Sequence, residues 1–136
     1  MNNLSQHITL EEATKSATAL RLGLINEPNA GALERMKIVA EFCFEPLRKW
    51  YGKPIRINSF YRSPELNKAV KGSANSQHTL GEAIDMDAGN KEENKKLYDW
   101  CKANLIFDQL INEYDYSWVH ISYKTGMNRN QTLSVK

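Results

Sequence analysis

One stretch of twelve residues, SQHTLGEAIDMD at positions 76–87, carries several side chains that can do chemistry. It holds one histidine, His78, and two aspartates, Asp85 and Asp87, among small and apolar residues. Its second half alternates in polarity, so as a β-strand it would turn its apolar side chains to one face and both aspartates to the other. This pattern predicts a strand that rests on the core and presents acids on its opposite face.

A second segment, WVHISY at positions 118–123, alternates in the same way. Val119 and Ile121 would face the core, which turns Trp118, His120 and Ser122 to the opposite side. If the two strands are neighbours in one sheet, Asp85 and His120 lie on the same polar face.

The third candidate, His78, precedes Asp85 by seven residues and can fold back onto that face, with Gly81 supplying the freedom for the turn. Two imidazoles and one carboxylate in an open groove form a three-ligand catalytic zinc site with water in the fourth position. Spacing alone leaves a second interpretation open, because an isolated histidine on a strand is more often exposed or simply hydrogen-bonded. The remaining histidine, His7, is expected to be structural or exposed.

Composition limits the classes of protein that the chain can belong to. Its 136 residues predict one domain, 1–136, and 41% hydrophobic with 25% charged residues is ordinary for a globular protein. A net charge of +2 without a Lys/Arg block argues against nucleic acid as a partner, and no apolar run reaches the ~20 residues of a membrane span. The start, MNNLSQHITL, lacks the features of a secretory signal, so a cytoplasmic location is expected. Cys43 and Cys101 are expected to be free, buried thiols.

The order of the predicted elements favours an α+β fold, an antiparallel sheet with helices packed on one face. Leu20 of the first helix and Phe42 of the second are expected to face the core. Four helices are expected: one from the Thr9 capping box to about Gly23, one over 30–51 that is kinked or split at Pro46, a short one from Ser63 to Val70, and a long one capped by Asn90. Strands are expected over 54–59 and 82–88, as a hairpin over 107–113 and 118–123, and at the edge of the sheet in the tail.

Five residues within 76–85 also match the pattern S-x-H-x-x-G-x-A-x-D. On this motif the chain resembles the family of zinc D-Ala-D-Ala carboxypeptidases and L-alanyl-D-glutamate endopeptidases, which includes vancomycin-resistance dipeptidases and many phage endolysins. INSFYRSPELN resembles the upstream segment of that family, and FDQLINE with WVHISY resembles its closing strands. The resemblance implies the fold shared with the hedgehog signalling domain, and it is nearest to the short, phage-associated branch.

By this resemblance, His78, Asp85 and His120 correspond to the ligands of one Zn²⁺ ion. Arg62 corresponds to the arginine that holds substrate or stabilises the polarised carbonyl, and a guanidinium suits this task because it stays charged and offers a planar fork of donors. The alternative for Arg62 is a surface ion pair with Glu65.

Other groove residues are implied with less specificity. Ser76 resembles the serine that lines the substrate groove, although it can equally cap the loop. Tyr61 and Trp118 are candidates for the floor of the groove, with a place in the core as their alternative. Asp87 either accepts a hydrogen bond from a ligand histidine or is solvated.

One departure from the family pattern concerns the catalytic base. Many members carry a glutamate or histidine three or two residues before the last ligand, where this chain has Ser117 and Trp118. The nearest carboxylates are Glu113 and Asp115, and Glu113, at the end of the preceding strand, is the predicted base.

The function implied is a zinc metallopeptidase that hydrolyses a peptidoglycan stem peptide, at either D-Ala-D-Ala or L-Ala-D-Glu. The expected protein is a monomer that reaches the cell wall after release from the cytoplasm, as a phage or prophage lysis enzyme does. The alternatives are a zinc-holding binding module without activity, which the missing base favours, and a metal-free interaction domain.

Overall fold

The computed structural model describes residues 3–136, so residues 1 and 2 of the domain expected from the sequence lie outside it. Helices and strands alternate irregularly along the chain, as expected for an α+β fold. The elements are β1 (Asn3–Ser5), β2 (Ile8–Thr9), α1 (Leu10–Thr14), α2 (Ala17–Leu22), α3 (Ala30–Val39), a π-helical segment (Ala40–Phe44), α4 (Glu45–Tyr51), β3 (Arg56–Ser59), α5 (Pro64–Ala69), a 3₁₀ turn (Gln77–Leu80), β4 (Ala83–Asp87), α6 (Lys91–Asn104), β5 (Gln109–Glu113), β6 (Trp118–Ser122) and β7 (Gln131–Val135).

Five strands form one sheet in the order β3-β4-β6-β5-β7, and β1 pairs with β2 separately. The neighbours β3–β4, β4–β6 and β6–β5 are antiparallel, as predicted. The tail forms the predicted edge strand β7, but it runs parallel to β5, so the sheet is mixed and not wholly antiparallel. The direction follows from the connection, because the loop after β6 returns to the start of β5 before β7 begins.

Helices cover one face of the sheet, and the core lies between them. Helix α6 packs on β5 and β6, and α3 packs on β4. The apolar side chains of the central strands are fully buried on this face, among them Ile84, Val119 and Ile121. This burial confirms the alternation read from the sequence and turns the polar residues of β4 and β6 to the opposite face.

The predicted first helix is interrupted. Lys15 is extended, and the Ser16 hydroxyl accepts from the Ala19 amide to start a second helix, which ends at Gly23 with φ of 68°. The restart changes the helical phase, so the expected inward position of Leu20 is wrong and its side chain is 87% exposed.

The long second helix is divided just before Pro46 by a π-helical turn, which agrees with the split expected at this proline. Residues 40–44 form a π-helical turn in which the Glu45 amide bonds to the Ala40 carbonyl, and Pro46 occupies the first turn of α4. Proline has no N–H to donate and its ring needs extra space, and the wide turn before Pro46 accommodates both. It also shifts the phase, so Phe42 is 55% exposed and its expected inward position is wrong.

Cys43 and Cys101 are both buried and free, which confirms the prediction from their positions in helices. Burial raises the pKa of the Cys43 thiol to about 12. Within residues 3–136, none of the helices combines the length and the apolar character that a membrane crossing requires.

Candidate active site

Asp85 and His120 meet across the two central strands. They are direct register partners in the antiparallel pair β4–β6, and His120 Nδ1 lies 2.9 Å from Asp85 Oδ1. Ile84 and Ile121, the next pair in the same register, are fully buried on the opposite face. The buried pairs anchor the strands, and the alternation of side chains then places Asp85 and His120 together on the polar face.

His78 reaches the same point from the 3₁₀ turn that precedes β4. The Ser76 hydroxyl caps this turn by accepting from the His78 amide, and Gly81 ends it with φ of 79°. A Cβ at Gly81 would lie 2.6 Å from the Ala32 carbonyl oxygen, so the turn needs glycine for space as well as for conformation. This confirms the role predicted for Gly81.

The ring of His78 is oriented from behind by the backbone. Its Nδ1 donates to the Phe60 carbonyl oxygen over 2.8 Å, and its Nε2 lies 3.2 Å from Asp85 Oδ2. A neutral imidazole that donates from Nδ1 presents a lone pair at Nε2, the form in which histidine binds metals. Without a metal, a proton bridges Nε2 and Asp85 Oδ2, and a metal ion bound at this point would take its place.

The three side chains form a group whose composition fits zinc. One atom from each of His78, Asp85 and His120 lies within 4.8 Å of the other two, which confirms that the residues converge. Two imidazole nitrogens and one carboxylate oxygen are a donor set of catalytic zinc sites, which keep a further position open.

The charge state of Asp85 suits this role. Burial alone would raise the pKa of its carboxyl, but the charge of His78 and hydrogen bonds from His120 and His78 hold the pKa well below its usual range. The low pKa keeps Asp85 ionised near neutral pH.

An open groove of about 560 Å³ runs over this group. Arg62 lines it and places Nη2 3.4 Å from the Ser76 hydroxyl, while its buried Nε finds no hydrogen-bond partner among residues 3–136. The alternative ion pair between Arg62 and Glu65 does not occur within the described part of the chain. Burial lowers the pKa of Arg62, and the charges of Asp85 and Glu113 oppose that effect.

Glu113 also lines the groove, at the end of β5. It is the register partner of Trp118 on β6. Trp118 precedes His120 by two residues, so both lie on the same face of the sheet. Burial raises the pKa of Glu113, the charge of His120 lowers it, and Asp85 raises it again. Asp115, the other candidate base, lies in the turn, where its exposed carboxylate pairs with Lys91 Nζ at 2.7 Å. It is not among the residues that line the groove.

Of the two aromatic candidates, Trp118 lines the groove and Tyr61 does not. Trp118 is half-buried and lines the groove beside Tyr114, and its buried Nε1 has no hydrogen-bond partner within residues 3–136. Tyr61 is only 7% exposed and packs in the core away from that groove. Adjacent residues of an extended segment point to opposite sides, so the orientation that brings Arg62 into the groove turns Tyr61 out of it.

Asp87 has a role that differs from both expectations. Its Oδ1 accepts from the Gly89 amide at 2.9 Å and from Asn94 Nδ2 at 3.0 Å. It therefore ties the end of β4 to helix α6, and neither an orienting bond to a ligand histidine nor simple solvation describes it. The Phe60 carbonyl takes the orienting position at His78 instead.

Sequence reasoning missed one charged residue of the groove, Arg129. It lies in the loop after β6 and lines the groove together with Gln77 and Gln109. No local pattern marks it, because its position depends on contacts with residues more than 20 positions away.

The family model described as Peptidase M15 matches residues 6–122. The match covers most of the chain, including all three residues of the cluster, so this chain belongs to the M15 peptidase family, whose members are zinc-dependent and have a hedgehog-like fold. It is accordingly a peptidase with a peptide substrate. No curated protein matches the sequence significantly.

Proposed function

We propose that this chain is a zinc metallopeptidase that hydrolyses stem-peptide bonds of peptidoglycan. The observation that carries the proposal is the convergence of His78, Asp85 and His120 in an open groove that also contains Glu113 and Arg62. Membership of the M15 family and the motif within residues 76–85 support this choice of substrate.

His78, Asp85 and His120 would hold the metal. A zinc ion at this position supplies a Lewis acid that polarises the scissile carbonyl and lowers the pKa of water toward ~7. Backbone anchoring of His78 and strand pairing of Asp85 with His120 keep the donor atoms in place before the metal binds.

Glu113 is the proposed general base. Its place beside His120 on the polar face supports a role in accepting the proton of the attacking water and passing it to the leaving amine. Burial raises the pKa of Glu113, which strengthens it as a base, and the choice of Glu113 over Asp115 is supported by their positions, since only Glu113 lines the groove.

Arg62, Ser76 and Trp118 are the proposed substrate-binding residues. Arg62 and Trp118 both line the groove, where the guanidinium of Arg62 can donate to a carbonyl or carboxylate of the substrate. Ser76 holds the guanidinium of Arg62 from the side of the loop.

The biological setting is also a proposal. Resemblance to the short, phage-associated branch supports a lysis enzyme of a phage or prophage that acts as a monomer and meets the wall after release from the cytoplasm. Binding of nucleic acid and insertion into a membrane are not part of the proposed function.

A second function is favoured by one specific observation. Ser117 and Trp118 occupy the positions of the usual base, and neither accepts a proton near neutral pH. The corresponding protein would be a zinc-holding module that binds wall peptides without cleaving them.

Digestion of purified peptidoglycan by the zinc-loaded protein separates the two functions. Mass analysis of the fragments identifies the bond, and a chelator followed by restored zinc tests the dependence on metal. New peptide termini that appear only with zinc support the peptidase. Full zinc loading with binding but no new termini assigns the protein to the binding module.

A further inference from the structure

Arg129 is held in the groove by a carboxylate that is completely buried. Its Nε lies 2.9 Å from Asp108 Oδ1, and its Nη2 lies 2.8 Å from Asp108 Oδ2. Its backbone amide also donates to Asp108 Oδ1, and Gln77 Nε2 donates to Oδ2 from the other side. The guanidinium of Arg129 is therefore fixed in position and orientation before any ligand arrives.

The bond to Asp108 uses one edge of the guanidinium only. Arginine offers five N–H donors on a planar group, and the edge formed by Nε and Nη2 takes Asp108. The second edge, formed by Nη1 and the other N–H of Nη2, has the spacing that binds another carboxylate at two points. The side chain of Arg129 is 56% exposed, so this edge is accessible.

The surroundings place that edge on the path of a substrate. Arg129 lines the groove of the metal cluster and also an adjoining depression of about 350 Å³. The two share Asn75, Ser76 and Gln77 in their walls, and Lys124 adds a positive charge to the second. The formal charges around this depression balance, Arg129 and Lys124 against Asp108 and Glu82, so the free edge of Arg129 would recognise an anion by directed hydrogen bonds and not by net charge.

We propose that Arg129 binds a carboxylate of the substrate and so determines which stem peptides this enzyme accepts. The inference rests on the proposed function, because stem peptides carry free carboxylates at D-glutamate and at the terminal D-alanine. Arg129 lies beyond the residues matched by the family model, 6–122, so the family pattern does not assign it.

Peptides that differ in one amide test the proposal. The parent protein for this test carries Glu113→Gln, which slows cleavage, and Arg129→Lys is added to that parent. Both proteins are loaded with zinc. Calorimetry measures Kd for a stem pentapeptide, its D-glutamate α-amide and its C-terminal amide. Lysine keeps the charge beside Asp108 but loses the second edge, and zinc content with thermal unfolding verifies the fold. Arg56→Lys, the same change at an exposed residue outside the groove, is the matched control.

We expect one of the two amides to bind roughly 10- to 100-fold more weakly than the acid in the parent, the usual effect of losing charged hydrogen bonds. The amide that shows the loss identifies the carboxylate. Arg129→Lys should bind that acid and amide nearly equally, and Arg56→Lys should keep the parent's preference. The proposal is overturned if Arg129→Lys and its parent prefer the acid over the amide to the same extent, or if neither protein binds any of the peptides. Retained preference without cleavage by the zinc-loaded wild type overturns the proposed hydrolysis alone.

Discussion

Asp85 and His120 are register partners at the centre of the sheet, with His120 Nδ1 2.9 Å from Asp85 Oδ1. Because the neighbouring pair Ile84–Ile121 is fully buried, a slip of one residue in either strand would expose isoleucine and bury the aspartate. The hydrophobic effect that sets the register of these strands thereby also sets the geometry of the candidate metal site.

His120→Ala should abolish most zinc binding, because it removes one of the three atoms that converge at the site. Metal analysis after dialysis measures the effect, with one zinc ion per chain expected for the wild type. His7→Ala is the matched control, since His7 pairs with Glu45 outside the groove. Zinc retained at wild-type stoichiometry in His120→Ala would remove this residue from the site.

Arg62→Lys should keep the fold and the zinc but lower kcat/KM on wall peptides by roughly 10- to 100-fold, because lysine keeps the charge and loses the two-point fork. Initial rates on isolated stem peptides measure the loss. Arg21→Lys makes the same change on an exposed helix and should have no effect. Unchanged kinetics in Arg62→Lys would refute its role in substrate binding.

Glu113→Gln should keep zinc and stability but reduce the rate by about 10²–10⁴-fold, the usual contribution of a positioned base. Asp115→Asn is the control, because its carboxylate pairs with Lys91 away from the groove, and it should leave the rate nearly unchanged. The reverse result, an active Glu113→Gln and an inactive Asp115→Asn, would make Asp115 the base.

Gly81→Ala should destabilise the fold by about 2 kcal/mol or more, because φ is 79° and the new Cβ would meet the Ala32 carbonyl oxygen at 2.6 Å. Gly23→Ala, at φ of 68° in open space, should cost only about 1 kcal/mol. Urea unfolding of the zinc-free proteins compares the two. Equal losses would show that the contact with Ala32 relaxes.

Asp108 should contribute an acid-sensitive part of the stability. Hydrogen bonds from Arg129 hold the pKa of Asp108 below its usual 3.8, so the unfolded state takes up the proton first as pH falls. The contribution is complete above about pH 4 and is lost as pH falls through the folded pKa. Asp108→Asn should therefore be less stable by about 1–3 kcal/mol at pH 7, with a gap that narrows toward pH 2.

Urea unfolding across this pH range tests the expectation for Asp108. Asp99→Asn, at an exposed pair with Lys95, is the control and should lie close to the wild type throughout. A gap between Asp108→Asn and the wild type that stays constant from pH 7 to pH 2 would contradict the assignment.

The central strands and the meeting of Asp85 with His120 were predictable from the sequence, because both depend on short-range alternation. Apolar residues at every second position of β4 and β6 determine which side chains face the core, and Asp85 and His120 must then face away from it. The motif around His78 added the third residue. Helix ends were predictable for the same local reason wherever a capping residue marks them, as at Ser63 and Asn90.

Only the tertiary structure decided the features that depend on distant contacts. The wide turn before Pro46 and the restart at Ser16 each change the phase of a helix, which local periodicity cannot reveal. The separation of Glu113 from Asp115 follows from the register of one hairpin. Arg129 is held at the groove by the buried carboxylate of Asp108, 21 positions earlier in the chain. Burial of that carboxylate exists only once the chain has folded.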